Sequence, residues 1–186
     1  MSTLISIVSA ATNVYVNPAS SVVNPGGQFV VSVSINTNTS IYAVSFDLNF
    51  DKNILTGLSS GDGGFLGKDG QTVLVAVNSI NNGVGKFSFA ATRSGQVGGV
   101  NGTGAIANIT FNASALGQSN LNITNVQIAD PNLNSVPSSV TNGNARVNTA
   151  PVASNLQLTP SLPKTNQDLQ ASYNYSDANG DLEFGS

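Results

Sequence analysis

Hydrophobic and polar residues alternate strictly along two stretches between residues 28 and 55. In the first stretch, the apolar positions are Phe29, Val31, Val33 and Ile35. In the second stretch, the apolar positions are Val44, Phe46, Leu48 and Phe50, and the intervening positions are Ala43, Ser45, Asp47 and Asn49. A period of two residues is typical of a β-strand with one buried and one solvated face. Because polar residues 37–40 separate the stretches, the pattern predicts a β-hairpin.

Shorter alternating segments occur along the rest of the first 148 residues, separated by turns rich in Gly, Asn and Pro. They predict strands at residues 4–8, 13–16, 72–77, 86–91, 104–112, 121–128 and 144–147. Within residues 121–128, the apolar residues change from odd to even positions, which predicts a β-bulge near Thr124 and Asn125. Residues 51–55 lose the alternation and predict a single helical turn. The whole pattern is typical of an all-β, antiparallel β-sandwich.

The last part of the chain has a separate organisation. Residues 149–151 read as a linker, and two further strands are predicted at residues 155–159 and 169–175. Two strands are too few to bury a core. We therefore expect a β-sandwich domain over residues 1–148, and a linker and the truncated start of a second domain over residues 149–186. We expect these C-terminal strands to be disordered, to dock on the first domain, or to pair with another copy through their open edges.

Charged residues make up only 8% of the chain, against roughly 25% in an average soluble domain. The net charge is −3 and no basic patch occurs, so nucleic acid is not an expected partner. No apolar run is long enough to predict a membrane span. Six Asn-X-Ser/Thr patterns, the acceptor motif of N-glycosylation, begin at Asn38, Asn101, Asn108, Asn112, Asn122 and Asn174. This composition favours a location outside the cell.

The sequence offers little catalytic or metal-binding chemistry. It contains no His and no Cys, so catalysis would need paired carboxylates or Ser and Lys, and we do not expect an enzyme. The oxygen-bearing residues with the spacing of the first half of a calcium loop are Asp177, Asn179, Asp181 and Glu183. The later bidentate Glu of such a loop is missing, so a polar turn is the favoured interpretation and calcium the only cofactor left open. Asp130 is interpreted as the start of a turn before Pro131, with a calcium ligand as the alternative.

Five motifs in order resemble a cohesin domain, the receptor half of the cohesin–dockerin pair, over residues 5–148. They are the Pro-Gly-Gly turn at residues 25–27, YAVSFDLNFDKNIL at 42–55, KFSFAATRSG at 86–95, GAIANITFN at 104–112, and an ending with Asp130 and Gly-x-x-x-Val at 143–147. The C-terminal residues resemble the start of an immunoglobulin-like repeat of archaeal or bacterial surface proteins.

The resemblance implies a nine-stranded jelly-roll that binds a calcium-loaded dockerin on one flat sheet face, outside the cell or on its surface. Carried over by position, the outward residues of that face are Ala43, Ser45, Asp47, Asn49, Ser88, Ala90, Ile106, Asn108 and Thr110. This face is small and neutral and lacks the aromatic or charged residues that usually anchor an interface. A structural or adhesive spacer of a surface protein therefore stands as the alternative function.

Overall fold

A computed structural model of the protein describes residues 12–178 and 180, and within them every regular element is a β-strand. One compact unit ends at Val147 and a second begins at Asn148. The strand predicted at residues 4–8 lies outside the described residues. In chain order, the strands of the first unit are β1 (Thr12–Asn17), β2 (Ser20–Val23), β3 (Gln28–Ile41), β4 (Ala43–Asn49), β5 (Leu55–Asp62), β6 (Val73–Asn81), β7 (Lys86–Arg93), β8 (Val100–Ala113), β9 (Gly117–Ala129), β10 (Ser138–Thr141) and β11 (Gly143–Val147).

The first unit is a sandwich of two sheets. A five-stranded sheet has the order β10-β1-β3-β8-β5, and a six-stranded sheet has the order β2-β11-β9-β4-β7-β6. All pairs are antiparallel except β1 with β10 and β2 with β11. Two residues separate β1 from β2, and Asn142 alone separates β10 from β11. Each of these pairs is one extended segment that passes from one sheet to the other, so the eleven strands form nine segments, in keeping with the predicted jelly-roll.

The predicted hairpin between the two long stretches is wrong. Strand β3 lies in the five-stranded sheet and β4 in the six-stranded sheet, and residues 37–40 continue β3 instead of turning. Ile41 is fully buried, and the Tyr42 N–H donates to the Ala129 carbonyl of the opposite sheet at 2.8 Å. The chain therefore crosses the sandwich at this point. Alternation shows which side of a strand faces the core, but two strands that line one core from opposite sheets have the same pattern.

The burial of alternate residues is confirmed on both long strands. The core between the sheets includes Val31, Val33 and Ile35 from β3 and Val44, Phe46 and Leu48 from β4. Aromatic rings connect the layers, since Phe50 and Phe111 meet edge to face with centroids 4.9 Å apart. Burial of each large apolar side chain contributes about 1.5–3 kcal/mol to the free energy of unfolding.

The predicted β-bulge on β9 is confirmed. Ser45 pairs with Gln127 and Asp47 with Thr124, so β9 has one residue too many between these two pairs. Asn125 takes a left-handed backbone conformation, with φ of 53°. As a result, Ile123 and Ile128 both face the core although they differ in parity.

Residues 51–55 form one turn but no helix. The N–H groups of Ile54 and Leu55 both donate to the Asp51 carbonyl, at 3.1 and 2.8 Å. Leu55 is fully buried, as expected, and it already begins β5.

The second unit contains an antiparallel hairpin of β12 (Val152–Thr159) and β13 (Gln170–Ser176). Both predicted strands are therefore present, and nearly all of their side chains are exposed. Its exposed apolar side chains include Leu156, Leu158 and Tyr173. The assignment of this unit to an immunoglobulin-like domain stays a prediction. Among the described residues of the whole chain, there is no helix long and apolar enough to cross a membrane.

Candidate functional site

The outer face of the six-stranded sheet, which we name the docking face, is centred on β4 and β7. These strands pair in register, with Ala43 opposite Thr92, Ser45 opposite Ala90, and Asp47 opposite Ser88. Their outward side chains are half-buried by their neighbours, because the sheet is broad and the side chains are short. The structure brings together six of the nine residues predicted for the partner site, namely Ala43, Ser45, Asp47, Asn49, Ser88 and Ala90.

The other three predicted residues lie on β8, in the opposite sheet. Asn108 and Thr110 point outward there, half-buried, whereas Ile106 is only 1% exposed and belongs to the core. The register explains this correction, because Val33 pairs with Ala107 and Ser34 with Ala105, which leaves Ile106 as an extra residue. Such a bulge turns two consecutive side chains toward the same side. The prediction of one face with all nine residues is therefore wrong about the position of β8.

A groove of about 480 Å³ crosses one end of the docking face. We call it the apolar groove. The side chains on its floor are short, chiefly Ala43, Ala90 and Thr92, and its walls include Ala76 of β6, and Ala129 and Leu133 at the end of β9 and beyond. Small side chains leave this part of the sheet open to a partner's larger residues. Its surface can bury apolar groups without the removal of charged ones from water.

Leu133 is the most prominent apolar side chain at this groove, with 74% of its surface exposed. Its φ of 62° places it in the left-handed region, which costs a residue such as leucine about 1–2 kcal/mol. Strained residues of this kind are concentrated at functional sites. The sequence did not reveal Leu133, because neither its exposure nor its backbone conformation leaves a pattern in the chain.

Asp130 holds the turn that presents Leu133. Its carboxylate accepts hydrogen bonds from the N–H groups of Asn132 and Asn134, at 2.8 and 2.9 Å. It also accepts one from the Asn134 side-chain amide at 3.0 Å. These hydrogen bonds lower the pKa of Asp130 from its ordinary value, and the one from the Asn134 side chain has the largest effect. The turn interpretation of Asp130 is thus confirmed.

Next to the apolar groove lies a second depression, the Asp47 pocket, of about 260 Å³. One carboxylate oxygen of Asp47 accepts from the Ser88 hydroxyl at 2.5 Å, and the other from the Asn125 amide at 2.8 Å. The Lys86 ammonium is 3.7 Å away. Burial acts to raise the pKa of Asp47, but these hydrogen bonds and the lysine charge outweigh it and lower the pKa. The docking face therefore holds an ionised carboxylate near its centre, with the Lys86 ammonium beside it as a counter-charge.

The far end of the docking face is rich in amides. Asn49, Gln118, Asn120 and Asn122 surround a shallow depression of about 260 Å³. The Asn49 amide donates to the Thr124 hydroxyl at 2.8 Å and to the Asn122 carbonyl at 3.3 Å. This end is already hydrogen-bonded within the sheet and offers no apolar anchor.

Within the described part of the chain, no group of three or more His, Cys, Asp or Glu residues is placed to hold a metal ion. Of the residues with calcium-loop spacing, Asp177 is described, and Asn179, Asp181 and Glu183 lie outside the described residues. Calcium binding by this segment stays a prediction.

The sandwich unit coincides with a known family of recognition modules. The family model described as "Cohesin domain" matches residues 13–147. The chain belongs to the cohesin family. No curated protein matches it in sequence.

Solved cohesins share its fold. A non-cellulosomal cohesin from the archaeon Archaeoglobus fulgidus is 18% identical, with a TM-score of 0.60 over 75% of this chain and 93% of that one. A cohesin from the scaffoldin B of Acetivibrio cellulolyticus, solved with a dockerin, is 22% identical, with a TM-score of 0.60 over 74% and 99%. A cohesin–dockerin complex from Clostridium thermocellum gives 13% identity and a TM-score of 0.62 over 74% and 93%.

Membership of the family determines the class of function. A cohesin is a non-catalytic module for protein–protein recognition, which agrees with the expectation from the sequence that the chain is not an enzyme. The structural likeness, at these low identities, adds the jelly-roll sandwich as the shared fold.

Proposed function

We propose that this cohesin binds a calcium-loaded dockerin on its docking face and so assembles complexes outside the cell or on its surface. The observation that carries the proposal is the apolar groove beside the Asp47 pocket, on the outer face of the six-stranded sheet of a cohesin sandwich. The dockerin complexes among its structural neighbours support the class of partner.

The two depressions divide the recognition into two parts. The apolar groove, with Leu133 at its margin, accepts aliphatic side chains, and apolar groups buried at the centre of an interface usually supply most of the affinity. The carboxylate in the Asp47 pocket attracts an ammonium or guanidinium group of the partner by its charge, because both of its oxygens already accept hydrogen bonds within the sheet. A charge of this kind contributes mainly to orientation and to the choice of partner.

A location outside the cell is supported by the low charge content and by the acceptor patterns for glycosylation. The same low charge content, 8% of residues, favours the alternative function, a structural or adhesive spacer. Exposed charges are screened by salt, and a chain that depends little on them is insensitive to ionic strength.

A calorimetric titration with calcium-loaded dockerins from the same organism tests the proposal. We expect saturable binding that calcium chelation abolishes. Ala90→Arg places a long charged side chain on the groove floor and should weaken binding at least about 100-fold, a loss typical of a disrupted interface centre. The matched control, Thr110→Arg, alters the outer face of the other sheet and should leave the affinity unchanged.

Two results would contradict the proposal. The first is the absence of binding to every dockerin of that organism, which would favour the spacer. The second is an equal loss of affinity in both arginine variants, which would move the interface away from the docking face.

A further inference from the structure

The six Asn-X-Ser/Thr patterns differ in how free their reactive groups are in the folded chain. Transfer of a glycan requires an accessible asparagine amide, and the hydroxyl two residues later is part of the acceptor motif. We propose that Asn38 is an N-glycosylation acceptor of this protein. The proposal rests on the extracellular location proposed above, because glycans of this kind are found on exported proteins.

The pairing of β3 with β8 is interrupted around Asn38, although these residues continue strand β3. Beyond the bulge at Ile106, β3 and β8 pair without a break from Ser34 with Ala105 to Thr37 with Gly102, and the pairing resumes only at Ile41 with Val100. Asn38 and Ser40 are both exposed. No hydrogen bond of either side chain occurs among the described residues, so the amide and the hydroxyl are both free to enter a transferase.

Asn101 provides a comparison within the same part of the structure. It is also exposed and lies on β8 opposite the interruption of the pairing. The hydroxyl of its acceptor motif is not free, however, because the Thr103 hydroxyl donates a hydrogen bond to the Asn36 side chain at 3.1 Å. The Asn101 carbonyl accepts a hydrogen bond from Lys68, which holds this segment in place.

In the other Asn-X-Ser/Thr patterns of the sandwich, either the asparagine side chain or the Ser/Thr hydroxyl is already hydrogen-bonded. Asn108 accepts the Ser32 hydroxyl at 2.6 Å. The Ser114 hydroxyl that follows Asn112 bonds to Thr56 at 2.8 Å. The Thr124 hydroxyl that follows Asn122 accepts the Asn49 amide. In the second unit, Asn174 is paired with Ser154 in the β12–β13 ladder.

The donor in this modification is a saccharide linked through phosphate to a polyprenol lipid. The side-chain nitrogen of Asn38 forms a bond to the anomeric carbon of the first sugar. The bond from that carbon to the phosphate oxygen breaks, the lipid phosphate leaves, and the amide proton passes to a base of the transferase. Asn38 belongs to a strand of the five-stranded sheet, so we expect dockerin binding to be unaffected by its glycan.

Peptide mass spectrometry of the chain purified from its native host tests the proposal. The expected result is a glycan mass on the peptide that contains Asn38, with lower or no occupancy at Asn101. Asn38→Gln and Ser40→Ala should each abolish the modification, whereas Ser40→Thr, which keeps the hydroxyl, should retain it. Asn101→Gln is the matched control and should leave the Asn38 glycan in place.

An unmodified Asn38 in the exported protein would overturn the proposal, and so would a modification that persists in Ser40→Ala. Dockerin titration of the same samples separates this outcome from failure of the proposed function. An unglycosylated chain that binds dockerin refutes only the glycan site. A glycosylated chain that binds no dockerin refutes only the partner.

Discussion

The two outer faces of the sandwich are built from the same kinds of residue, yet they differ in what their side chains bond to. On the five-stranded sheet, Ser32 donates to Asn108, Thr103 to Asn36, and Ser139 to Asn13, at 2.6, 3.1 and 3.1 Å. These cross-strand bonds satisfy the polar groups within the face. On the six-stranded sheet, the half that includes Ala43 and Ala90 has few such bonds and forms a groove instead.

This difference shows what makes one face suitable for a partner. A polar group that already has a partner within its own sheet gains little from a new one, since binding only exchanges one hydrogen bond for another. An apolar groove gains free energy whenever it is covered. The docking face thus differs from the other outer face in its uncovered apolar groove, and not in its amino-acid composition.

The largest expected effect concerns Ile106, which the bulge on β8 turns into the core. Ile106→Ala removes a core side chain and should lower the free energy of unfolding by about 2–5 kcal/mol. Thr110→Ala, on the outer face of the same strand, should change it by less than about 0.5 kcal/mol. Urea unfolding measures both values. A small loss in Ile106→Ala would mean that Ile106 points outward and that the faces were wrongly separated.

A smaller effect is expected at Leu133. Leu133→Asn should lower dockerin affinity about tenfold, because a hot-spot side chain contributes more than about 1 kcal/mol. The same variant should be at least as stable as the original, since asparagine tolerates the left-handed region better than leucine. Calorimetry and thermal melting give the two readouts. A parallel loss of stability and affinity would instead identify Leu133 as a structural residue.

The smallest effect is a difference in pH response between the two faces. The pKa values of Asp47 and Asp130 lie below their ordinary value in the fold. The same holds for the pKa of Asp69, chiefly through its hydrogen bond from Arg93 on β7. These carboxylates therefore stabilise the fold fully above the unfolded value, near 3.9. That stabilisation is lost as the pH falls through the lower, folded pKa values.

Thermal melting between pH 7 and pH 2 checks this expectation. Asp47→Asn should flatten part of the acid decline. Asn108→Ala, which removes an uncharged member of the polar ladder on the other face, should leave the shape of the profile unchanged. An unaltered acid decline in Asp47→Asn would show that the charge of Asp47 adds nothing to the stability of the docking face.

The sequence allowed much of the fold to be predicted, for a physical reason. Burial of alternate residues is a local property, so β4 and β7 could be assigned with the correct inward side chains, and the bulge near Asn125 followed from a change of parity. Neighbour relations between strands depend on residues far apart in the chain. The hairpin of β3 with β4 was therefore predicted wrongly.

The same distinction applies to the docking face. Its residues on β4 and β7 could be found from alternation and from the resemblance to cohesins. Ile106 was predicted on the wrong face because the residues before and after it are also apolar. A bulge among apolar residues does not disturb the alternation of apolar and polar positions, so the sequence does not reveal it. Leu133 was missed because its exposure depends on a turn that Asp130 fixes through its hydrogen bonds.

The parallel pairing of β1 with β10 and of β2 with β11 has a mechanical consequence. The first and last segments of the sandwich run side by side in the same direction, so Thr12 and Val147 lie at opposite ends of this shared seam. Tension applied at these two residues slides the segments past each other and loads many backbone hydrogen bonds at once. A module tethered at both ends is thereby protected against unzipping one bond at a time.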